Sequence, residues 1–218
     1  MFKKLKAEIA ESGGFKHWFV NSFWYHSKWK LLVVVGIIAL LVFVIVESVG
    51  SVKYDAYVVV GTDRGMTPEA MMPLQTFLED ALGDVNGDGE SHVYLELLNF
   101  SDDTFASQMQ ERFYLCSTEA DYVIYLLNDE RSLMYTYSDM EYFQPLEDYG
   151  IEPDADNPLR RSLADNEVLQ QLTLADDIYL CISDFGAITR DELDIQRTQD
   201  CLRMARALIG EDPNGVTE

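Results

Sequence analysis

Residues 31–46 read LLVVVGIIALLVFVIV, a run with no charged or polar side chain. At about 1.5 Å of rise per residue, a helix over this run spans roughly 24 Å. A bilayer core is about 30 Å thick, and Trp29 before the run and Ser48-Val49 after it extend the helix into the interface. A core helix would carry one polar side, and this run has none. A cleaved signal sequence is the other alternative, since Ser48 and Gly50 are small residues just past the run, but thirty residues is long for a signal's charged leader. The stretch therefore reads as a retained transmembrane helix over 31–48. It divides the chain into a basic, aromatic leader (1–30), the span, an α/β domain (52–210) and a flexible tail (211–218).

The leader holds Lys3, Lys4, Lys6, Lys16, Lys28 and Lys30 against Glu8 and Glu11. Basic residues stay on the cytoplasmic side, so the expected topology is single-pass, with the N-terminus in the cytoplasm and the C-terminal domain outside the cell membrane. Phe15, Trp18, Phe19, Phe23, Trp24, Tyr25 and Trp29 suit the headgroup layer, predicting a short interfacial helix over 15–29. The whole chain carries −22 and the leader +4, leaving −26 on residues 47–218. Phosphate backbones repel such a domain, which excludes nucleic acid as its partner. Basic partners, cations and simple solubility are all compatible with it. The three cysteines, Cys116, Cys181 and Cys201, are too few for a disulfide framework. They read as buried thiols, with a Cys181–Cys201 bridge between a strand and the following helix as the alternative.

Beyond the anchor, apolar runs at 54–60, 93–98, 121–127 and 178–183 read as strands. Between them lie segments with helical spacing. Thr67-Pro68 starts the first, with Met71, Leu74, Leu78 and Leu82 on one face and Gly83 at its end. Ser101 is the expected cap of the second, and Phe105, Met109, Phe113 and Cys116 line one side of it. Further helices are predicted near 131–138 and 161–172, and from a Thr189/Glu192 capping box to about Ile209. Alternation of strands and helices predicts a three-layer α/β domain with a mainly parallel sheet of about four strands.

In such sheets ligands bind beyond the carboxyl ends of the strands. Four polar turns are expected there: Thr62, Asp63 and Arg64 after the first strand, Ser101 and Asp102 after the second, Asn128 and Asp129 after the third, Ser183 and Asp184 after the fourth. If all four share an edge they form a ligand rim; turn and cap chemistry alone would also select these residue types. Asp84, Asn86 and Asp88, followed by Gly89, match the first half of a calcium loop, with oxygens at positions 1, 3 and 5 and glycine at 6. Position 12 is Leu95, where a bidentate acid belongs, so an Asn-Gly/Asp-Gly turn is the competing reading. No phosphate loop, zinc spacing or nucleophile elbow is present. The chain is therefore read as no enzyme, with no catalytic residue and no cofactor other than this candidate calcium.

Ala120-Asp121-Tyr122-Val123-Ile124, followed by Phe143-Gln144-Pro145-Leu146-Glu147-Asp148-Tyr149, resembles a phrase of the extracellular solute-binding proteins of bacterial ABC importers. Residues 54 to 151 are similar to their first lobe in order: strand, helix, strand, helix, strand, then that phrase. The resemblance implies a membrane-anchored binding or accessory module, associated with a transport or envelope complex. It transfers no individual ligand residue, and the chain is too short after the anchor for a full second lobe. The alternative is a structural membrane protein whose acidic domain contacts only other proteins. A hydrolase using rim carboxylates with calcium or magnesium is a third reading that no motif supports.

Overall fold

A computed structural model describes residues 2–11, 13–19, 24–50, 52–102, 104–119, 121–138, 140–172, 178–183 and 192–213. The chain forms two compact units, Met1–Val52 and Lys53–Glu218. The first unit is helical, with α1 (Phe2–Glu11), α2 (Phe15–Trp18) and α3 (Tyr25–Gly50). Gly13 and Gly14 take φ of 82° and 114°, which end α1 and let the Gly14 amide donate back to the Ile9 carbonyl at 3.1 Å. The single helix expected over 15–29 is replaced by the short α2 and the start of α3, with residues 20–23 outside the described set.

On α3 the described apolar side chains run from Leu32 to Val44 and are 49% to 67% exposed, so no face of that run is buried against protein. This run measures about 20 Å along the helix axis. Among the described residues no helix is long and apolar enough to cross a membrane.

The second unit is a three-layer α/β domain. Its strands are β1 (Ala56–Thr62), β2 (Val93–Asn99), β3 (Tyr122–Asn128), β4 (Arg161–Ser162) and β5 (Ile178–Ile182), in the order β2-β1-β3-β5-β4. β1 pairs in parallel with β2 and with β3, while β5 runs antiparallel to both β3 and β4. Helices α4 (Met72–Leu82) and α5 (Ala106–Thr118) make the crossovers from β1 to β2 and from β2 to β3. Because β2 lies on one side of β1 and β3 on the other, these crossovers cover opposite faces. Val58 and Val60 pack with Leu74, Leu78 and Leu82 of α4 and Met204, Ala205 and Leu208 of α8 (Glu192–Leu208). Val59 and Tyr125 face the other way, against Phe113 and Cys116 of α5 and Tyr135 of α6 (Asp129–Thr136).

Several sequence expectations are corrected here. The sheet has five strands, because the segment expected as a helix over 161–172 begins as β4, and it is mixed, because β5 runs antiparallel to both of its neighbours. The Ser162 amide is claimed by the Asp154 carboxylate at 3.0 and 3.1 Å, and the Leu163 amide by the Ile178 carbonyl at 3.0 Å. Helix forms only after Asn166, whose side chain caps α7 (Glu167–Gln171) by accepting from the Leu169 amide at 3.0 Å. β5 pairs antiparallel with β4 on one side and with β3 on the other. Ser101 does not cap α5; the Asn99 side chain accepts the Ser101 amide at 2.9 Å, and the helix starts at Ala106. Thr67 does cap, but the turn it caps is a 3-10 turn over Pro68–Met71 ahead of α4. The Thr189 end of the last expected helix lies outside the described residues. All three cysteines are buried and free. Cys181 faces the α5 side of the sheet and Cys201 the α8 side, which rules out the bridge between them.

Candidate functional site

The carboxyl ends of β1, β2 and β3 reach one edge of the sheet, where Thr62 pairs in register with Asn99 and Gly61 lies beside Leu127. This is the point where the strand order reverses about β1. Three of the four expected turns meet here. The Thr62 hydroxyl accepts the Arg64 amide at 3.0 Å, and the Thr62 carbonyl accepts the Phe100 amide at 2.9 Å. Asn128 caps α6, accepting the Arg131 amide at 3.0 Å, and its side-chain amide donates to Asp63 Oδ2 at 2.5 Å. The other Asp63 oxygen accepts from Arg131 Nε at 3.4 Å and Nη2 at 3.3 Å. The Arg131 guanidinium stands 4.5 Å over the Phe100 ring, a cation–π contact. Asp63, Asn128 and Arg131 thus close a circuit that ties the turn after β1 to the helix after β3.

Beside it lies a second circuit. Arg160 is 4% exposed and donates from Nη1 to Asp129 Oδ1 and to the Ser132 hydroxyl, both at 2.8 Å, and from Nη2 to Asp156 at 3.2 Å. Its guanidinium lies 4.1 Å from the Tyr179 ring centroid. Burial lowers its pKa, yet the bonds to Asp129 and Asp156 outweigh that and leave it raised. With Asn157 donating to the Thr136 hydroxyl at 2.9 Å, these bonds pin the 152–160 loop onto α6. Asp102 accepts the Thr104 amide at 2.8 Å, and hydrogen bonds from Thr104 hold its carboxyl below the usual range.

Asp63, Asp102 and Asp129 are therefore each engaged by a neighbour in the chain. This chemistry locks loops together. The fourth turn is elsewhere. Because β5 opposes β3, Ser183 sits at the opposite edge, its amide donating to the Val123 carbonyl at 2.9 Å. Asp184 lies outside the described residues. The expected four-turn rim is thus a three-turn rim, with Arg160 supplied by the 152–160 loop.

The Asp84–Asp88 loop turns its oxygens onto its own backbone. Asp84 accepts the Gly87 amide at 2.6 Å and the Gly89 amide at 2.9 Å; Asn86 accepts the Asp88 amide at 2.9 Å, and Asp88 the Glu90 amide at 3.1 Å. Asp55, which the sequence reading did not single out, fastens this loop by accepting from the amides of Val85, Asn86 and His92. Among the described residues no group of three His, Cys, Asp or Glu is placed to hold a metal. A cleft of about 420 Å³ lies at this amino-terminal edge of the sheet, lined in part by Tyr54, Asp55, Tyr57, Asp121, Arg197 and Asp200. Asp121 and Arg197 pair at 2.5 Å across it.

Comparison with protein-family models, curated proteins and solved structures finds no match to this chain. Arg131 and Arg160 are the site residues that sequence reasoning missed. A signal was available: residues 47–218 hold few cations among many acids, and a buried arginine must find carboxylates.

Proposed function

We propose that the chain is a single-pass membrane protein whose α/β domain acts outside the cytoplasm as an acidic, protein-docking accessory module. The observation that carries the docking reading is the rim: Asp63, Asp102 and Asp129 are satisfied by Asn128, Arg131, Thr104 and Arg160. An edge closed by its own ion pairs offers a surface to a partner, where a solute site would aim unsatisfied polar groups into a cavity. The anchor reading is supported by α3. The helix is 26 residues long, about 39 Å, and its described apolar run is exposed on every side. In water such a surface is costly, and lipid removes the cost. Six lysines on the leader favour a cytoplasmic N-terminus.

The test is topological. The full chain should stay with membranes through alkaline carbonate extraction, and Val35→Asp combined with Leu41→Arg should release it. In intact cells a membrane-impermeant maleimide should label Asp88→Cys, on an exposed loop, and should leave Lys6→Cys unlabelled until lysis. The native thiols are buried, so background is low. Labelling of Lys6→Cys alone would reverse the orientation, and release of the unmodified chain by carbonate would remove the anchor.

The second reading is the solute-binding lobe. The run β1, α4, β2, α5, β3, followed by Leu146–Tyr149, supports it by following the order that the resemblance implies. Under this reading a sugar, amino acid or short peptide stabilises the folded domain by mass action. A thermal-unfolding screen of the full chain in micelles separates the two readings: a saturable rise with one solute favours the lobe and removes the docking reading.

A further inference from the structure

We infer that the outer edge of β2 receives an extended, lysine- or arginine-flanked strand of a partner protein; this rests on the docking reading above. Among the described residues β2 ends the sheet, with β1 on one side and no strand on the other. Successive residues of a strand turn their backbone groups to opposite sides. The Asp55 amide donates to the His92 carbonyl at 2.8 Å, and the Phe100 amide to the Thr62 carbonyl at 2.9 Å. The even-numbered residues therefore face β1, and Val93, Leu95 and Leu97 face outward. The Val93 amide is taken by Glu79 Oε1 at 3.1 Å. The amides of Leu95 and Leu97 have no hydrogen-bond partner among the described residues. With the Val93 amide taken, the open donors identified on this edge are the Leu95 and Leu97 amides, within the seven residues VYLELLN.

Edge strands are normally blunted by brevity, proline, lysine or a bulge. β4, at the other edge, has two residues. β2 has none of these devices: it holds no proline or lysine, and its register with β1 is unbroken. Its one charge, Glu96, is already bound by Arg112 at 2.7 Å. Leu95 and Leu97 are half-buried, packing inward on the α4 side while leaving part of their surface open. Strand addition to such an edge takes affinity from main-chain hydrogen bonds and specificity from alternate side chains and flanking charges. The flanks here are acidic: Asp84, Asp88 and Glu90 precede β2, and Asp102 follows it. An incoming strand with cations at its ends is drawn to this edge, whereas a second copy of the chain, carrying −26 on the same domain, is repelled.

The test uses the full chain in detergent micelles and a fluorescein-labelled nine-residue peptide, with alternating valine and threonine between pairs of lysines. Binding is read by anisotropy and by amide exchange over residues 93–99. The expected result is saturable binding with slowed exchange in that segment. The same peptide N-methylated at every valine and threonine keeps its charge and loses its donors; it should bind at least tenfold more weakly, as should a peptide with glutamate in place of lysine. Leu97→Pro removes an outward amide and leaves the β1–β2 ladder intact. It should abolish peptide binding while the melting temperature stays within a few degrees. Equal binding of the methylated peptide, or binding with unchanged exchange over 93–99, overturns the proposal. So does self-association that protects 93–99 without peptide, since a second copy would then own the edge. Absence of peptide binding sinks the edge alone, whereas a stabilising solute sinks the docking reading whatever the peptide does.

Discussion

Burial raises the thiol pKa of all three cysteines, to about 11 at Cys116, to about 12 at Cys201 and further at Cys181. In the unfolded chain these thiols ionise near 8.5. The folded state thus holds its protons longer, and the stability tied to them is fully present below about pH 8.5. It is lost as the pH climbs toward 11 and 12, at about 1.4 kcal/mol per pH unit for each thiol. Tyrosines, whose ordinary pKa is near 10, join only later. Between pH 8 and pH 10 the domain should therefore lose several degrees of melting temperature, and Cys201→Ala should lose about 3 °C less over the same interval. Circular-dichroism melts of both proteins at the two pH values check this; identical losses would mean that Cys201 meets water in the folded state. The same burial predicts that iodoacetamide leaves the native chain unmodified at pH 8.

At the scale of elements, β1 depends on its single glycine, Gly61. A Cβ at Gly61 would stand 2.7 Å from Leu127 Cδ2 and 3.3 Å from Phe100 Cε2. Leu127 is fully buried on β3, and Phe100 is the ring beneath Arg131. Gly61→Ala forces both to move, an overpacking cost of about 1–3 kcal/mol, or roughly 3–10 °C in a chain of this size. Gly65→Ala, whose nearest neighbour would be an ordinary contact with Asn99 at 3.7 Å, serves as the control and should melt as the parent does. If the two behave alike, the β1–β3 contact is looser than described. Elements of this kind were legible where local pattern decides them: the runs around Val58, Leu95 and Ile124 read as strands because apolar, β-branched residues cluster there, and Thr67-Pro68 announced a helix start. The direction of β5 was not legible. Nothing local in it records that it opposes β3, and the β4 beside it is hidden in a helical-looking stretch whose Ser162 amide is taken by Asp154. The rim was half legible for the same reason: Asp63 and Asn128 sit where strand ends demand polar residues, whereas Arg160 arrives from a loop that periodicity does not describe.

For the whole molecule, charge sets two opposing responses to salt. Residues 47–218 carry −26, and folding draws those charges together, so self-repulsion lowers the stability of the compact state. The Debye length shrinks from about 10 Å at 0.1 M salt to about 3 Å at 1 M, which silences most of that repulsion. Ion pairs such as Asp63–Arg131 and Asp129–Arg160 are in contact and partly shielded from solvent, so salt weakens them less than it weakens the long-range field. The melting temperature of the full chain in micelles should thus rise by several degrees from 0.05 to 1 M potassium chloride. Docking of a lysine-flanked strand at β2 should move the other way, because screening removes its attraction to Asp84, Asp88, Glu90 and Asp102 while leaving main-chain hydrogen bonds in place. Measuring both on one sample separates the two terms. A melting temperature that falls with salt would mean that paired charges, and not the net excess, dominate the domain's electrostatics. Docking unchanged by salt would mean that the acidic flanks take no part in selecting the strand.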